Sequence, residues 1–144
     1  MASRDEKGDI AVVGMACRMA GANSPSELWD ILANSKDVQS VITRFNTEGF
    51  YHPQGGPRKG STNVQHAYTM DDEAIDKFDH AFFHITPVEA VAIDPQQRML
   101  LEVAYEAIEN AGIPLEDFMG TDTCVMAGKQ VSSHNSHNQN PLVN

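Results

Sequence analysis

Apolar positions along this chain follow two different patterns, and each pattern predicts its own kind of element. Short uninterrupted apolar runs occupy residues 10–14 (Ile-Ala-Val-Val-Gly) and residues 124–128 (Cys-Val-Met-Ala-Gly). Such runs are typical of strands that are covered on both faces, as in parallel sheets. Between them, apolar residues recur at spacings of three and four, which is the helical period. The order strand, helix, irregular excursion, helices, strand predicts an α/β fold with αβα layers.

Three predicted helices have clear start signals in the sequence. A capping residue is followed by proline and then, two residues later, by Glu or Gln at Ser24, Thr86 and Asp94. The capping side chain accepts a hydrogen bond from the first turn, and the acid or amide bonds back to the cap. We expect the first helix to run to about Asn34, and the third to end at Gly112 because glycine commonly terminates helices.

The remaining segments lack a regular period. Glycine and proline interrupt residues 41–79, and so long an excursion inside a compact domain is usually functional or part of a larger assembly. We expect its aromatic side chains to pack back on the body of the protein: Phe45, Phe50, Tyr51 and Tyr68. The chain is thus divided into a polar leader at residues 1–8, a patterned region at residues 9–130, and a tail at residues 131–144. Residues 131–140 of that tail have no charge and almost no apolar content, which predicts disorder.

Composition narrows the possible partners and the compartment. The 144 residues suit one domain, and a formal charge of -10 disfavours nucleic acid and anionic membranes as partners. Two cysteines are too few for a disulfide framework and suit a reducing compartment. No signal peptide is recognised, and no apolar stretch approaches the length that spans a bilayer. We therefore expect a soluble cytoplasmic protein.

Metal-ligating residue types occur in two places. His80 and His84 have i, i+4 spacing, with carboxylates nearby at Asp76, Asp79 and Glu89, and imidazole with carboxylate is a usual zinc or iron set. However, the helix start at Thr86 means that the two histidines need not share a helix face. We favour no metal site at these residues, and the metal-dependent alternative stays open.

Two further groups favour a solvated surface over a metal site. His134 and His137 lie in the polar tail, where they would bind a metal only weakly. The acidic run at residues 71–73 lacks the glycine and terminal Glu of a calcium loop. No metal-binding residue is therefore assigned.

Cys17, Cys124 and Arg98 are the remaining candidates for chemistry. A nucleophilic thiol needs a histidine partner or a helix N-terminus, and both cysteines instead border predicted strands, which favours inert buried thiols. Arg98 lies near the start of a helix, where a cation is unfavourable unless it pairs with a carboxylate or carbonyl. A structural ion pair is favoured over a binding role for Arg98. No catalytic or cofactor-binding residue is assigned.

Several of these segments together resemble the ketosynthase domain of polyketide synthases. They are Gly-Met-Ala-Cys-Arg at residues 14–18, Phe-Phe-His-Ile-Thr-Pro at 82–87, Asp-Pro-Gln-Gln-Arg-Met-Leu-Leu-Glu at 94–102 and Glu-Ala-Ile-Glu-Asn-Ala-Gly at 106–112. Residues 44–46, 49–53, 61–64 and 66–68 look most like fungal highly reducing polyketide synthases. Met19 and Ala20 depart from the Phe-Pro that the family usually has. The resemblance covers roughly residues 9–130.

This resemblance implies a thiolase fold, here incomplete, and a defined chemistry. Such enzymes load an acyl chain on cysteine and condense it with malonyl carried on the phosphopantetheine arm of an acyl carrier protein. The family's nucleophile lies in an Asp-Thr-Ala-Cys-Ser-Ser elbow, and two catalytic histidines follow it. None of these motifs occurs in the 144 residues. The family is homodimeric, but dimerisation of this chain is not expected.

Two main hypotheses follow from the sequence. The first is a truncated ketosynthase that is inactive and partly molten by itself, because two strands with flanking helices are only part of a layered sheet. The second is a binding module that docks on a full synthase or its carrier protein and modulates it.

Overall fold

The computed structural model describes residues 9–55 and 59–128, and within them five helices and one small sheet form. The helices are α1 (Pro25–Ala33), α2 (Asp72–Asp76), α3 (Pro87–Ala92), α4 (Pro95–Asn110) and α5 (Leu115–Phe118). Strands β1 (Ser40–Val41) and β2 (His66–Ala67) pair antiparallel, with Ser40 opposite Ala67. The boundaries predicted at residues 8 and 130 lie outside the described residues, so the division into leader, body and tail stays a prediction.

The predicted helix starts are confirmed, whereas the full capping box predicted at Ser24 is wrong, because Glu27 accepts instead from Asn23 N–H at 2.6 Å. Ser24 Oγ accepts a hydrogen bond from the Glu27 amide at 3.3 Å. Thr86 and Glu89 form a full capping box, in which Glu89 N–H donates to Thr86 Oγ1 at 3.3 Å and Thr86 N–H donates to Glu89 Oε2 at 3.1 Å. Asp94 caps α4 by accepting from the amide two residues later at 2.8 Å.

The predicted end of α4 is also confirmed. Gly112 has a φ of +68°, the left-handed conformation that glycine adopts without steric cost. Its N–H donates to Glu109 O at 2.9 Å, and the N–H of Ile113 donates to Ile108 O at 3.3 Å. This pair of bonds is the Schellman arrangement, which satisfies the last carbonyls of a helix.

The two apolar runs that predicted buried strands lie in no strand of the described structure. Ile10 is 99% exposed and Met126 is 92% exposed. A strand of a parallel sheet is buried only when neighbouring strands and helices cover it. Neither run has a strand partner among residues 9–55 and 59–128, so the prediction of strands covered on both faces is wrong for this structure.

The excursion at residues 41–79 folds partly on itself and contacts the rest of the protein through α2 and Phe78. Backbone bonds join His52 N–H to Thr62 O and Thr62 N–H to Phe50 O, both at 2.8 Å, next to the β1–β2 pair. Of the four aromatic side chains that were predicted to pack on the body, Phe45, Phe50 and Tyr68 are 57–64% exposed and Tyr51 is 37% exposed. The prediction that Phe45, Phe50, Tyr51 and Tyr68 pack on the body is therefore wrong.

Little of the described structure is closed off from solvent. Ala22 and Ala90 are the buried hydrophobic side chains among the described residues, and none of the large side chains there is fully buried. An interior normally buries its large aliphatic and aromatic side chains. The elements that form are therefore held by local caps, by the pairing of β1 with β2, and by contacts of α2 and the N-terminal segment with α4. No helix in the described ranges is long and apolar enough to cross a membrane.

Candidate functional site

The N-terminal segment docks on α4 through a glycine. A Cβ placed on Gly14 would lie 2.1 Å from Ala107 O and 2.8 Å from Ala111 Cβ, so only glycine permits this approach. The next amide, Met15 N–H, donates to the Asn110 Oδ1 atom at 3.0 Å. These contacts place the residues that follow, including Cys17 and Arg18, beside the middle of α4.

Arg18 and Glu106 form a bidentate ion pair where the N-terminal segment meets α4. Arg18 Nη1 donates to Glu106 Oε2 at 2.7 Å, while Nη2 donates to Oε1. The same Nη1 also donates to Asn23 O at 2.6 Å and to Cys17 O at 3.3 Å. The Arg18 side chain is only 19% exposed, and its hydrogen bond to Glu106 raises the guanidinium pKa. The guanidinium thus ties α4 to the loop before α1.

Glu102 lies one turn before Glu106 on α4 and borders the same ion pair. Burial raises the pKa of Glu102, and the nearby charge of Arg18 opposes that shift. An open groove of about 320 Å³ runs beside these groups, and Phe82 and Tyr105 line it together with Glu109. The Phe82 and Tyr105 rings meet edge to face, with centroids 4.7 Å apart. The ion-paired Arg18 guanidinium therefore lines the same groove as the Phe82 and Tyr105 rings.

The residues of the metal alternative do not converge. His80 Nδ1 lies 2.9 Å from Ile85 O, and His84 adopts a φ of +55° in a turn, so the two histidines share no helix face. Asp79 Oδ1 accepts from Phe82 N–H at 3.0 Å, and hydrogen bonds from Thr86 lower the pKa of Glu89. No group of three His, Cys, Asp or Glu side chains in the described ranges could hold a metal ion.

The acidic run serves local structure. Asp71 caps α2 by accepting from Glu73 N–H at 3.3 Å. Asp72 pairs with Arg44 at 2.6 Å, and Glu73 pairs with Lys77, which lowers the Glu73 pKa. The other histidine pair, His134 and His137, lies outside the described residues.

The structure corrects two sequence predictions and identifies a residue that they missed. Cys17 is half-buried, but Cys124 is exposed, so the prediction of two buried thiols is wrong for Cys124. The ion pairs within the described residues do not include Arg98, whose Nε is buried there without a hydrogen-bond partner. The structural ion pair belongs to Arg18 instead. A partial signal was present in the sequence, since Glu102 and Glu106 are carboxylates at i, i+4 that repel each other, which favours a nearby cation but does not identify it.

The family can now be assigned from comparison with known proteins. Residues 7–142 match the model of the β-ketoacyl synthase N-terminal domain. The chain belongs to this ketosynthase family. It is 52% identical over 121 residues to the highly reducing polyketide synthase sthA of Phaeosphaeria nodorum, and 53% identical over 122 residues to the highly reducing polyketide synthase bet1 of Neocamarosporium betae. Each alignment covers 83% of this chain and 4% of the relative, so the chain spans about one twenty-fifth of their length.

Solved ketosynthases share the fold. The ketosynthase from module 6 of the bacillaene synthase of Bacillus subtilis 168 is 32% identical, with a TM-score of 0.63. The match covers 74% of this chain and 17% of that chain. The predicted α/β class and the resemblance to part of a thiolase-like ketosynthase fold are therefore confirmed. The Arg18–Glu106 pair and α4 lie within the matched family region.

Proposed function

We propose that this chain supplies the N-terminal part of a ketosynthase domain that builds polyketides by decarboxylative condensation. The family match over residues 7–142 is the observation that supports this most directly. In the whole domain, a cysteine thiolate would attack an acyl thioester, form a new thioester with the acyl group and release the thiolate that carried it. Malonyl on the phosphopantetheine arm of a carrier protein would lose CO₂, and the resulting enolate would attack that thioester and release the thiolate.

The proposed task of residues 9–128 is to scaffold this reaction without contributing the nucleophile. The Arg18–Glu106 pair and the Gly14 contact hold the N-terminal segment on α4, and both contacts are structural in character. The Asp-Thr-Ala-Cys-type elbow does not occur among the 144 residues. We therefore expect the isolated chain to show no condensation, and we assign it no catalytic residue.

A chimera tests this proposal. Residues 9–128 replace the matching region of a fungal highly reducing ketosynthase, and condensation is measured as release of CO₂ from malonyl carrier protein and as formation of the β-ketoacyl product. We expect the chimera to condense and the 144-residue chain to be inactive. A well-folded chimera without condensation, or an isolated chain that condenses, would refute the proposal.

Paired variants of the chimera distinguish loss of the Arg18–Glu106 contact on α4 from the effect of removing any arginine that pairs with a carboxylate. Arg18→Ala removes the ion pair on α4, and we expect it to lower activity together with thermal stability. Arg44→Ala is the matched control, because Arg44 also pairs with a carboxylate but is 40% exposed in the excursion. We expect Arg44→Ala to stay near the activity of the parent chimera.

The second candidate is a module that docks on a complete synthase and modulates it. The exposure of Val12 at 80% and of Val125 at 80% favours this interpretation, since large exposed apolar patches often mark interaction sites. Its test is saturable binding of the full chain to an intact ketosynthase, measured by calorimetry with the condensation rate followed in parallel. If the chain is instead the N-terminal part of a ketosynthase domain, we do not expect it to bind an intact ketosynthase, because that domain already contains the equivalent region.

A further inference from the structure

Two carboxylates one helical turn apart on α4 lie beside a single guanidinium. Glu102 and Glu106 have i, i+4 spacing and therefore share a face of the helix. Glu106 takes both Nη atoms of Arg18 in its bidentate ion pair, and the ion pairs within the described ranges do not include Glu102. Glu102 is half-buried and lines two grooves that Arg18 also lines. When Glu102 is ionised, it therefore competes with Glu106 for the same cation.

Charged groups from several elements surround Glu102. Burial raises the pKa of Glu102, whereas the charge of Arg18 and a hydrogen bond from the Asp79 backbone oppose this shift. Because burial prevails, Glu102 keeps its proton up to a higher pH than an exposed glutamate does. Its titratable and charged neighbours are Arg18 in the loop before α1, Asp79 in the turn before α3, Asp71, Glu73 and Lys77 at α2, and Arg98, Tyr105, Glu106 and Glu109 on α4.

The same guanidinium also fixes the loop at residues 17–23. Arg18 Nη1 donates to Asn23 O at 2.6 Å and to Cys17 O at 3.3 Å, in addition to its bond with Glu106. This nitrogen has two N–H groups and already faces three acceptors. A charged carboxylate attracts a guanidinium more strongly than a neutral carbonyl does, because both partners carry a charge. A second ionised carboxylate is therefore satisfied at the expense of the two loop carbonyls.

We propose that Glu102 is a pH-dependent switch for the loop at residues 17–23. When Glu102 is protonated, Arg18 pairs with Glu106 alone and holds the loop through its two carbonyls. When Glu102 loses its proton to solvent, the guanidinium bridges Glu102 and Glu106, and the loop carbonyls lose their donor. The loop is therefore held more tightly on α4 before Glu102 ionises than afterwards. This switch goes beyond the proposed function and does not depend on it.

An NMR titration of the full chain tests the switch. The carboxyl carbon shift of Glu102 reports its ionisation, and the Nη shifts of Arg18 report its partners, both followed from about pH 3 to about pH 8. Ala22 reports the loop, because it is 1% exposed and its N–H donates to Met19 O at 3.1 Å. We expect the Arg18 shifts to change with the same midpoint as Glu102. The protection of Ala22 N–H, corrected for the intrinsic exchange rate at each pH, should fall about two- to tenfold, the range for one lost hydrogen bond.

Three variants assign the effect to Glu102. Glu102→Gln keeps the size of the side chain but has no acidic proton, so Arg18 and Ala22 should show no transition where Glu102 ionises in the parent. Glu106→Gln leaves Glu102 as the carboxylate partner for Arg18, so the pKa of Glu102 should fall. Glu73→Gln is the matched control, because Glu73 lines one of the same grooves but pairs with a lysine and has a side chain that is 67% exposed. We expect this control to titrate like the parent.

Each other result overturns the switch. Arg18 shifts that stay constant while Glu102 ionises refute the change of partner. A transition that persists in Glu102→Gln, or that disappears in Glu73→Gln, assigns the pH dependence to another group. Where a variant chain loses its helices by circular dichroism, the same titration is made in the chimera of residues 9–128. Arg18 shifts in that chimera that do not follow the ionisation of Glu102 refute the switch.

Discussion

Replacing Gly14 by alanine tests the contact that holds the N-terminal segment on α4. The added Cβ would lie 2.1 Å from the Ala107 carbonyl oxygen and 2.9 Å from Ala111 N. Both atoms belong to the helix backbone, which cannot move aside as a flexible side chain could. The segment itself must shift, and Met15 N–H then loses its 3.0 Å hydrogen bond to Asn110 Oδ1.

The size of the effect follows from overpacking. One methyl group forced into a closed contact costs about 1–3 kcal/mol. At about 1.4 kcal/mol for each factor of ten, this free energy corresponds to about 5- to 140-fold more frequent opening of the contact. The amide of Met15 reports that opening directly, because its hydrogen exchanges when the bond to Asn110 breaks. We therefore expect its exchange rate to rise by that factor in Gly14→Ala.

Exchange is measured by NMR on the full chain, with Gly49→Ala as the control. A Cβ placed on Gly49 would have no neighbouring atom within 4 Å, so the control adds the same methyl group to open space. We expect Met15 to exchange within about twofold of the parent in the control, as surface changes seldom exceed about 0.5 kcal/mol. Parent-like exchange at Met15 in Gly14→Ala would refute the close contact between this segment and α4.

Three further outcomes follow from the same contacts. In a double-mutant cycle of unfolding free energies with Arg18→Lys and Glu106→Gln, we expect a coupling of about 1 kcal/mol. Lysine should keep only part of the Arg18–Glu106 interaction, because an ammonium group cannot form the bidentate hydrogen bonds of a guanidinium. Additive effects of the two substitutions would contradict the ion pair. Burial raises the folded-state pKa of Glu102, so stability falls as pH rises from about 4.3, the ordinary pKa, through the raised value. Glu102→Gln should flatten this fall in a pH series of urea unfolding, and an unchanged slope would contradict it. Thr86→Ala should lower the stability of α3 by about 1 kcal/mol and return the pKa of Glu89 toward its ordinary value in an NMR titration, whereas Thr86→Ser should keep both near the parent.

Helix ends could be predicted from sequence because their determinants are local. The caps at Ser24, Thr86 and Asp94 bond to amides two or three residues away, and Gly112 ends α4 through bonds within six residues. The donors and acceptors that cap each helix end therefore lie within a short stretch of sequence. Tertiary context can then add to these helices but need not create them.

The strands and the ion pair could not be predicted in the same way. Residues 10–14 have the composition of a buried strand, but a strand exists only with a partner, and the described residues offer none. Arg18 and Glu106 are 88 positions apart, and no local pattern says which carboxylate a distant arginine reaches. The position of Arg98 near the start of α4 indicated an ion pair there, whereas the cation that pairs with Glu106 on α4 is Arg18, near the other end of the chain.

The long separation between Arg18 and Glu106 also bears on the time course of synthesis. Protein chains emerge at about 5–20 residues per second. Glu106 is made 88 positions after Arg18, and Asn110 is made 95 positions after Met15. Residues 10–18 are therefore synthesised about 5–20 s before the residues of α4 that they contact. During this interval, residues 10–13 are open to chaperones and to neighbouring nascent chains, so the yield of folded protein depends on how well the cell shields this short segment.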